Sequence, residues 1–324
     1  MKKFNLLLGV SLALLTALFA QSALAAKNVK ITPLGSHKGE FCPLDRAMIF
    51  EDPDGTRILY DAGRTVRGPK DPRLGRIDAV LLSHAHGDHL GDKHQAFAGE
   101  GTCGKLVFSV NATPNSNTVN IVLEKKAALV IGSHFRAFFQ AKIKSLGGDP
   151  KLVKLVRYGA STKIGGVTIA TVPALHANGI SPAFLSGDLA KMLKANGLTA
   201  YAGPPNGYIL KFSNGLVVYL SGDTGIIAAQ DLVVRRYYKP KLAVMNIGDV
   251  FTTGPREAAY VINKLVRPRS VIASHANQVS TKNGKLIKGT KAAIFKQAVK
   301  VKVHIPLSGR TMHFTAKGNC VRGC

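Results

Sequence analysis

Tryptophan is absent from this 324-residue sequence, and acidic side chains are scarce. Without indole, the chain lacks one of the aromatic platforms on which single-stranded nucleic acid stacks. Only 18 Asp and Glu stand against 44 Lys and Arg, a formal net charge of +26, so the overall field draws anions. Beyond residue 25 no apolar run approaches the roughly 20 residues that a bilayer span requires. No internal repeat or low-complexity linker interrupts the chain. Cysteine is limited to four residues, Cys42, Cys103, Cys320 and Cys324. Cysteine zinc sites normally show close pairs with a second pair or histidines nearby. Only Cys320 and Cys324 are close, with no histidine between or just after them, so metal ligation by cysteine is not expected.

The first residues carry a basic start at Lys2 and Lys3, an apolar core from Leu6 to Ala20, and Ala23-Leu24-Ala25. That is the layout of a secretory signal peptide with cleavage after Ala25, which implies a periplasmic or secreted protein. Residues 26–324 then read as one large α/β domain. In an exported protein four cysteines suggest disulfides. The favoured pairs are Cys42 with Cys103, tying an N-terminal turn to a later loop, and Cys320 with Cys324 near the C-terminus.

Early segments alternate like strands at Val29–Thr32, Ala47–Phe50, Ile58–Tyr60 and Ala79–Leu82, with "EDPDGT" as a turn. "GKLVFSV" is expected to be another strand. Residues 112–160 read as a partly helical insertion. Within it, Phe135, Phe138, Phe139, Ile143 and Leu146 fall at helical spacing before Gly147-Gly148 and Pro150. A short helix is expected around Met192. The later half alternates strands such as "GVTIATV" and "GLVVYL" with helices such as "GPREAAYVINKLV", a layered α/β pattern.

Polar residues recur where those strands stop. "AVLL" runs into "SHAHGDH", with His84, His86, Asp88 and His89. "GVTIATVPAL" runs into His176, "GLVVYLSG" into Asp223 and "SVIAS" into His275. Loops at strand ends converge on one rim in layered α/β proteins, so these groups can meet although far apart in sequence. Imidazole nitrogen and carboxylate oxygen are the usual donors for zinc and similar ions. His84, His86 and His176 suit one ion, Asp88, His89 and His275 another, and Asp223 stands between. Two such ions can activate a shared water at neutral pH without a serine or cysteine nucleophile. Zinc is the simplest choice of divalent ion, while iron and manganese also suit these donors.

"HAHGDH", with His176, "SGDTG" and "ASH" following in order, resembles the signature of the metallo-β-lactamase superfamily. The resemblance covers nearly all of residues 26–324 and implies a four-layer αβ/βα sandwich with metals at one edge. "LYDAGRT" is similar to the family's strand ending in aspartate, which implies that Asp61 orients a ligand histidine. True β-lactamases of this fold generally lack an aspartate at the position of Asp223, which points to another hydrolase branch. "MNIGDVFTTGPREAAYVINKLVRPRSVIASH" resembles the metal-dependent hydrolases that include L-ascorbate-6-phosphate lactonase. The 112–160 segment, the leader and the basicity depart from that branch and leave the substrate open.

The expected activity is hydrolysis of an ester or lactone in a small substrate carrying an anionic group, with Asp88 holding and passing the proton. The alternatives are a phosphodiesterase or nuclease, and a non-catalytic protein that binds anions, nucleic acid or an anionic surface through its net charge. Asp249 is a candidate pocket residue. Asn178 and Asn277, each two positions after a ligand histidine, are candidates to donate to a developing oxyanion. His37, His94, His134, His304 and His313 lie outside any such motif and carry ordinary surface or core roles.

Overall fold

The computed structural model describes residues 28–132 and 135–324. The leader at 1–25 and His134 lie outside the described residues.

Alternating apolar residues build two facing sheets. The first has eight strands: β1 (Val29–Pro33), β2 (Met48–Glu51), β3 (Arg57–Tyr60), β4 (Ala79–Leu81), β5 (Ala128–Ile131), β6 (Val153–Leu155), β14 (Met312–Phe314) and β15 (Cys320–Arg322). Their order is β6-β5-β4-β3-β2-β1-β14-β15. The second has β7 (Ser161–Ile164), β8 (Val167–Pro173), β9 (Asn206–Lys211), β10 (Val217–Leu220), β11 (Leu242–Asn246), β12 (Ser270–Ser274) and β13 (Lys302–His304), paired in sequence order.

Strand periodicity decides which face each side chain takes. Met48, Phe50, Ile58, Tyr60 and Leu81 point between the sheets, where they meet Tyr208, Leu210, Val218, Leu220 and Val244. The intervening Ile49, Leu59 and Val80 point outward, beneath helices Asn117–Lys125 and Phe135–Ser145. On the far side Tyr219, Ala243, Met245 and Val271 lie beneath the helical stretch Pro255–Val266 and the helix Lys291–Ala298. Helix, sheet, sheet and helix thus form the four layers of an αβ/βα sandwich. Among the described residues no helix is long and apolar enough to cross a membrane.

The 112–160 segment has its expected helix, with Phe135, Phe139 and Ile143 buried. It also supplies β5 and β6, which extend the first sheet in parallel beyond β4. A short helix, Gly187–Ala195, includes Met192. "GKLVFSV" differs from its expected single strand. Lys105–Leu106 and Val110–Asn111 belong to separate two-strand ribbons, with Lys105 and Val107 exposed. Lys105, Val107 and Ser109 all face solvent, so the stretch joins neither of the two large sheets, and Phe108 has Arg64 and Lys93 over its ring at 5.9 Å.

Both favoured disulfides are present, Cys42–Cys103 and Cys320–Cys324. The first fastens the loop leading into β2 to the segment after the histidine motif.

Candidate metal centre

The site lies at the ends of four strands. After β4 the chain turns through His84 and His86 into a single helical turn, Gly87–Leu90, which carries Asp88 and His89. This turn packs against the loop after β3, where Gly63 N donates to His89 O at 2.9 Å. Gly63 has φ +53°, and a Cβ there would fall 2.5 Å from Asp88 O, so only glycine admits this approach. Gly222 plays the equivalent part before Asp223, at φ +60° with Asn206 O 2.6 Å from any Cβ. His176 follows β8, Asp223 follows β10 and His275 follows β12.

All seven candidate ligands meet on this rim. Ligand atoms lie within 4.8 Å of one another in each of three sets: His84, His86 and His176; His84, His89 and Asp223; Asp88, His89 and His275. Asp223 Oδ2 occupies the middle, 3.0 Å from His275 Nε2, 3.3 Å from His89 Nε2, 3.7 Å from His176 Nε2 and 3.8 Å from His84 Nε2. Asp88 Oδ2 lies 3.8 Å from His275 Nε2 and 3.9 Å from His89 Nε2.

Neighbouring groups fix the rings. Asp61, fully buried, takes His89 Nδ1 at 2.7 Å and accepts from Ser83 N at 2.8 Å and Ser83 Oγ at 2.7 Å. Ser83 Oγ also meets His84 Nδ1 at 2.9 Å. Each contact occupies one ring nitrogen and leaves Nε2 facing the centre. Asp61 and His275 both hold left-handed backbone, φ 42° and 52°. Such conformations cost roughly 1–3 kcal/mol and concentrate at functional sites.

Electrostatics follow from burial and crowding. Burial, then neighbouring imidazoles, push His84 well below its ordinary value and His86 down to about 4. Burial, with Arg46 beside it, brings His275 to about 4, and burial lowers His176 as well. His89 is the exception, since Asp223 and Asp61 outweigh its burial and raise it. Burial opposes ionisation of Asp223, but His275 and His89 prevail and hold it well below the usual carboxylate range. Four lowered imidazoles around an ionised carboxylate are in the protonation state a cation needs, and His89 gives up its extra proton when an ion binds. His84 Nε2, His89 Nε2, His275 Nε2 and Asp223 Oδ1 are buried with no hydrogen-bond partner among the described residues. Each such atom costs about 1–3 kcal/mol unless something satisfies it. The donor set and its orphaned atoms fit divalent ions.

The remaining candidates divide. Asn277 lines the cleft beside the cluster. Its Oδ1 accepts from Arg46 Nη2 at 3.2 Å. Asn178 instead clips two loops, its Oδ1 accepting from Ala85 N at 2.9 Å and its Nδ2 donating to Gly203 O at 2.8 Å. Asp249 is exposed in a turn and accepts from Val250 N at 2.9 Å. Neither is among the residues lining the cleft. Sequence reasoning missed Arg46, Ser83 and Phe251. Arg46 is 2% exposed and forms an ion pair with Asp88. Phe251 lines the cleft at 69% exposure, with Pro43 and Leu44 also among its lining residues. The hint for Phe251 was an aromatic in the polar loop "GDVFTTG"; Arg46 gave none, since its partner lies 42 positions later.

Two facing sheets flanked by helices, with a histidine–aspartate cluster at one edge, define a metal-dependent hydrolase of the metallo-β-lactamase fold. Residues 56–276 match the beta-lactamase superfamily domain, and the chain belongs to that family. A UPF0173 metal-dependent hydrolase of Cupriavidus necator is 32% identical over 234 residues, covering 69% of this chain and 68% of its own. Another, from Polynucleobacter asymbioticus, is 29% identical over 279 residues and covers 82% of each chain. The solved structure of Igni18, a metallo hydrolase from the archaeon Ignicoccus hospitalis, shares the fold. Its TM-score is 0.58 at 23% identity, over 89% of this chain and 98% of that one.

Proposed function

We propose that this metal-dependent hydrolase is exported, holds two divalent ions, most simply zinc, and cleaves an ester or lactone in a small substrate. The central position of Asp223 Oδ2, within 3.0–3.8 Å of four imidazole nitrogens, carries the binuclear reading. A carboxylate placed between two ligand sets is suited to bridge two ions. The leader-like start and two disulfides support export.

Bound ions of this kind would supply the Lewis acidity that makes water nucleophilic at neutral pH. The chain's own residues do the rest. Asp88, oriented by Arg46, holds the proton released by the attacking water at its carboxylate and passes it to the leaving oxygen. Asn277, with its oxygen engaged by Arg46, has its amide nitrogen available for the developing negative charge. Pro43, Leu44 and Phe251 line a cleft of about 400 Å³ and exclude water from the substrate's body. Among its described lining residues there is no lysine or arginine, so Pro43, Leu44 and Phe251 suit an apolar group of the substrate, and an anionic group within the cleft would have to be met by the bound ions.

A panel of lactones, carboxylic esters and bis-p-nitrophenyl phosphate tests this assignment on metal-loaded protein. Lactone or ester turnover that disappears in Asp88→Ala and His86→Ala supports it. Turnover confined to the phosphodiester, or equal rates in all three proteins, overturns it. Phe251→Ala is expected to raise KM several-fold for substrates with an apolar group, with kcat little changed.

A further inference from the structure

A second cluster of metal-type donors lies elsewhere in the molecule. Cys320 and Cys324, on and just after the edge strand β15, meet His304 at the end of β13 of the other sheet. One ring nitrogen of His304 and both sulfurs lie within 4.8 Å of one another. All three residues line a cleft of about 640 Å³. His304 is 4% exposed, and its Nε2 is buried with no hydrogen-bond partner among the described residues. An imidazole nitrogen buried unpaired costs about 1–3 kcal/mol. The ring is held edge-on against Phe314, with centroids 5.3 Å apart, so its orientation is set by packing. Burial, with Lys302 nearby, brings His304 down to about 4, so the ring is neutral and able to ligate at physiological pH.

We infer that His304, Cys320 and Cys324 form a thiol-gated site for zinc or a similar thiolate-seeking ion, open only when the Cys320–Cys324 disulfide is reduced. The donors explain the preference, since two thiolates and an imidazole select zinc and soft ions over magnesium or calcium. A dithiol reductant supplies the two electrons and two protons that convert the disulfide to two thiols, and leaves as its own disulfide. Binding the dication then releases those two protons, and two thiolates balance its charge. Arg269 and Lys302 line the same cleft and favour thiolate formation. Cys324 is exposed and Cys320 partly so, which gives a reductant access. No histidine lies between the two cysteines or just after them, which hid the site; the sheet-to-sheet packing supplies one from 16 positions upstream of Cys320.

Cobalt(II) added to the full chain, before and after reduction with a phosphine, distinguishes the outcomes. The rim cluster contains no sulfur, so a thiolate-to-cobalt charge-transfer band reports only cysteine ligation. The inference expects that band on reduction, with one further equivalent of cobalt bound. It also expects loss of the band in Cys320→Ser and Cys324→Ser, and at least tenfold weaker cobalt binding in His304→Ala. Retention of the band in Cys42→Ser/Cys103→Ser excludes the other pair as its source. No band after reduction, or a band that survives in both Cys320→Ser and Cys324→Ser, overturns the inference. Unchanged circular dichroism in the two serine variants shows that any loss is not unfolding.

Discussion

Replacing Asp61 by asparagine changes one oxygen to an amide nitrogen at a fully buried position. Three donors converge on the native carboxylate: Ser83 N, Ser83 Oγ and His89 Nδ1, at 2.8, 2.7 and 2.7 Å. Asparagine keeps the volume and one acceptor, which Ser83 N retains. The serine hydroxyl can rotate to accept from the new amide, so the fold should survive. The histidine has no such freedom. Opposite an NH2 group, His89 Nδ1 becomes the acceptor and the proton moves to Nε2, which faces Asp223 Oδ2 at 3.3 Å. Restoring a lone pair at Nε2 then sets two N–H groups against each other, at about 1–3 kcal/mol. The expected loss of zinc affinity is about 10- to 100-fold. Chelator competition on purified Asp61→Asn measures it, with circular dichroism and thermal unfolding as the check on folding. A folded variant whose zinc affinity lies within twofold of wild type refutes the reasoning.

Two further predictions concern stability. Burial would raise Asp71, but Arg73 and the backbone N–H groups of Arg67 and Arg73 outweigh it and hold its carboxyl at about 2. With the folded value depressed below 3.8, its stabilisation is present above pH 4 and is lost as pH falls towards 2. Asp71→Asn should therefore cost about 2 kcal/mol in urea denaturation at pH 7, with the gap to wild type closing below pH 4; a pH-independent gap contradicts this. The Cys42–Cys103 disulfide closes a loop with a sequence separation of 61. Cys42→Ser/Cys103→Ser should lose about 4 kcal/mol by the chain-entropy model. Activity should also fall, because the same loop carries Pro43, Leu44 and Arg46 to the site; an unchanged denaturation midpoint would count against this.

The layered fold was legible because strand periodicity is local. In Met48–Phe50, Ile58–Tyr60 and Val217–Leu220, alternate residues reach the space between the sheets and their neighbours reach the helices. The seven rim residues were legible for a related reason: each follows an apolar strand, and chemically distinctive side chains at strand ends share one edge. Asp61 required the resemblance to a known family, since an isolated aspartate after "ILY" does not name its histidine. What was not legible depends on distant packing. Arg46 stands at the head of a strand and meets Asp88 only after the two loops converge. Asn178 is claimed by backbone groups that become its neighbours only in the folded chain, while Asp249 turns back onto the adjacent Val250 N. His304 seemed ordinary for the same reason in reverse, its sulfur neighbours being brought in from the other sheet.

The most direct test is the metal content of the full chain, purified under non-reducing conditions so that both disulfides stay closed. Plasma mass spectrometry should find two divalent ions per chain in the wild type. His86→Ala and His275→Ala should each retain at most one, and Asp223→Ala should hold neither tightly. A well-folded wild type that binds no ion, or one whose content is unchanged in all three variants, would contradict a two-ion centre at this rim.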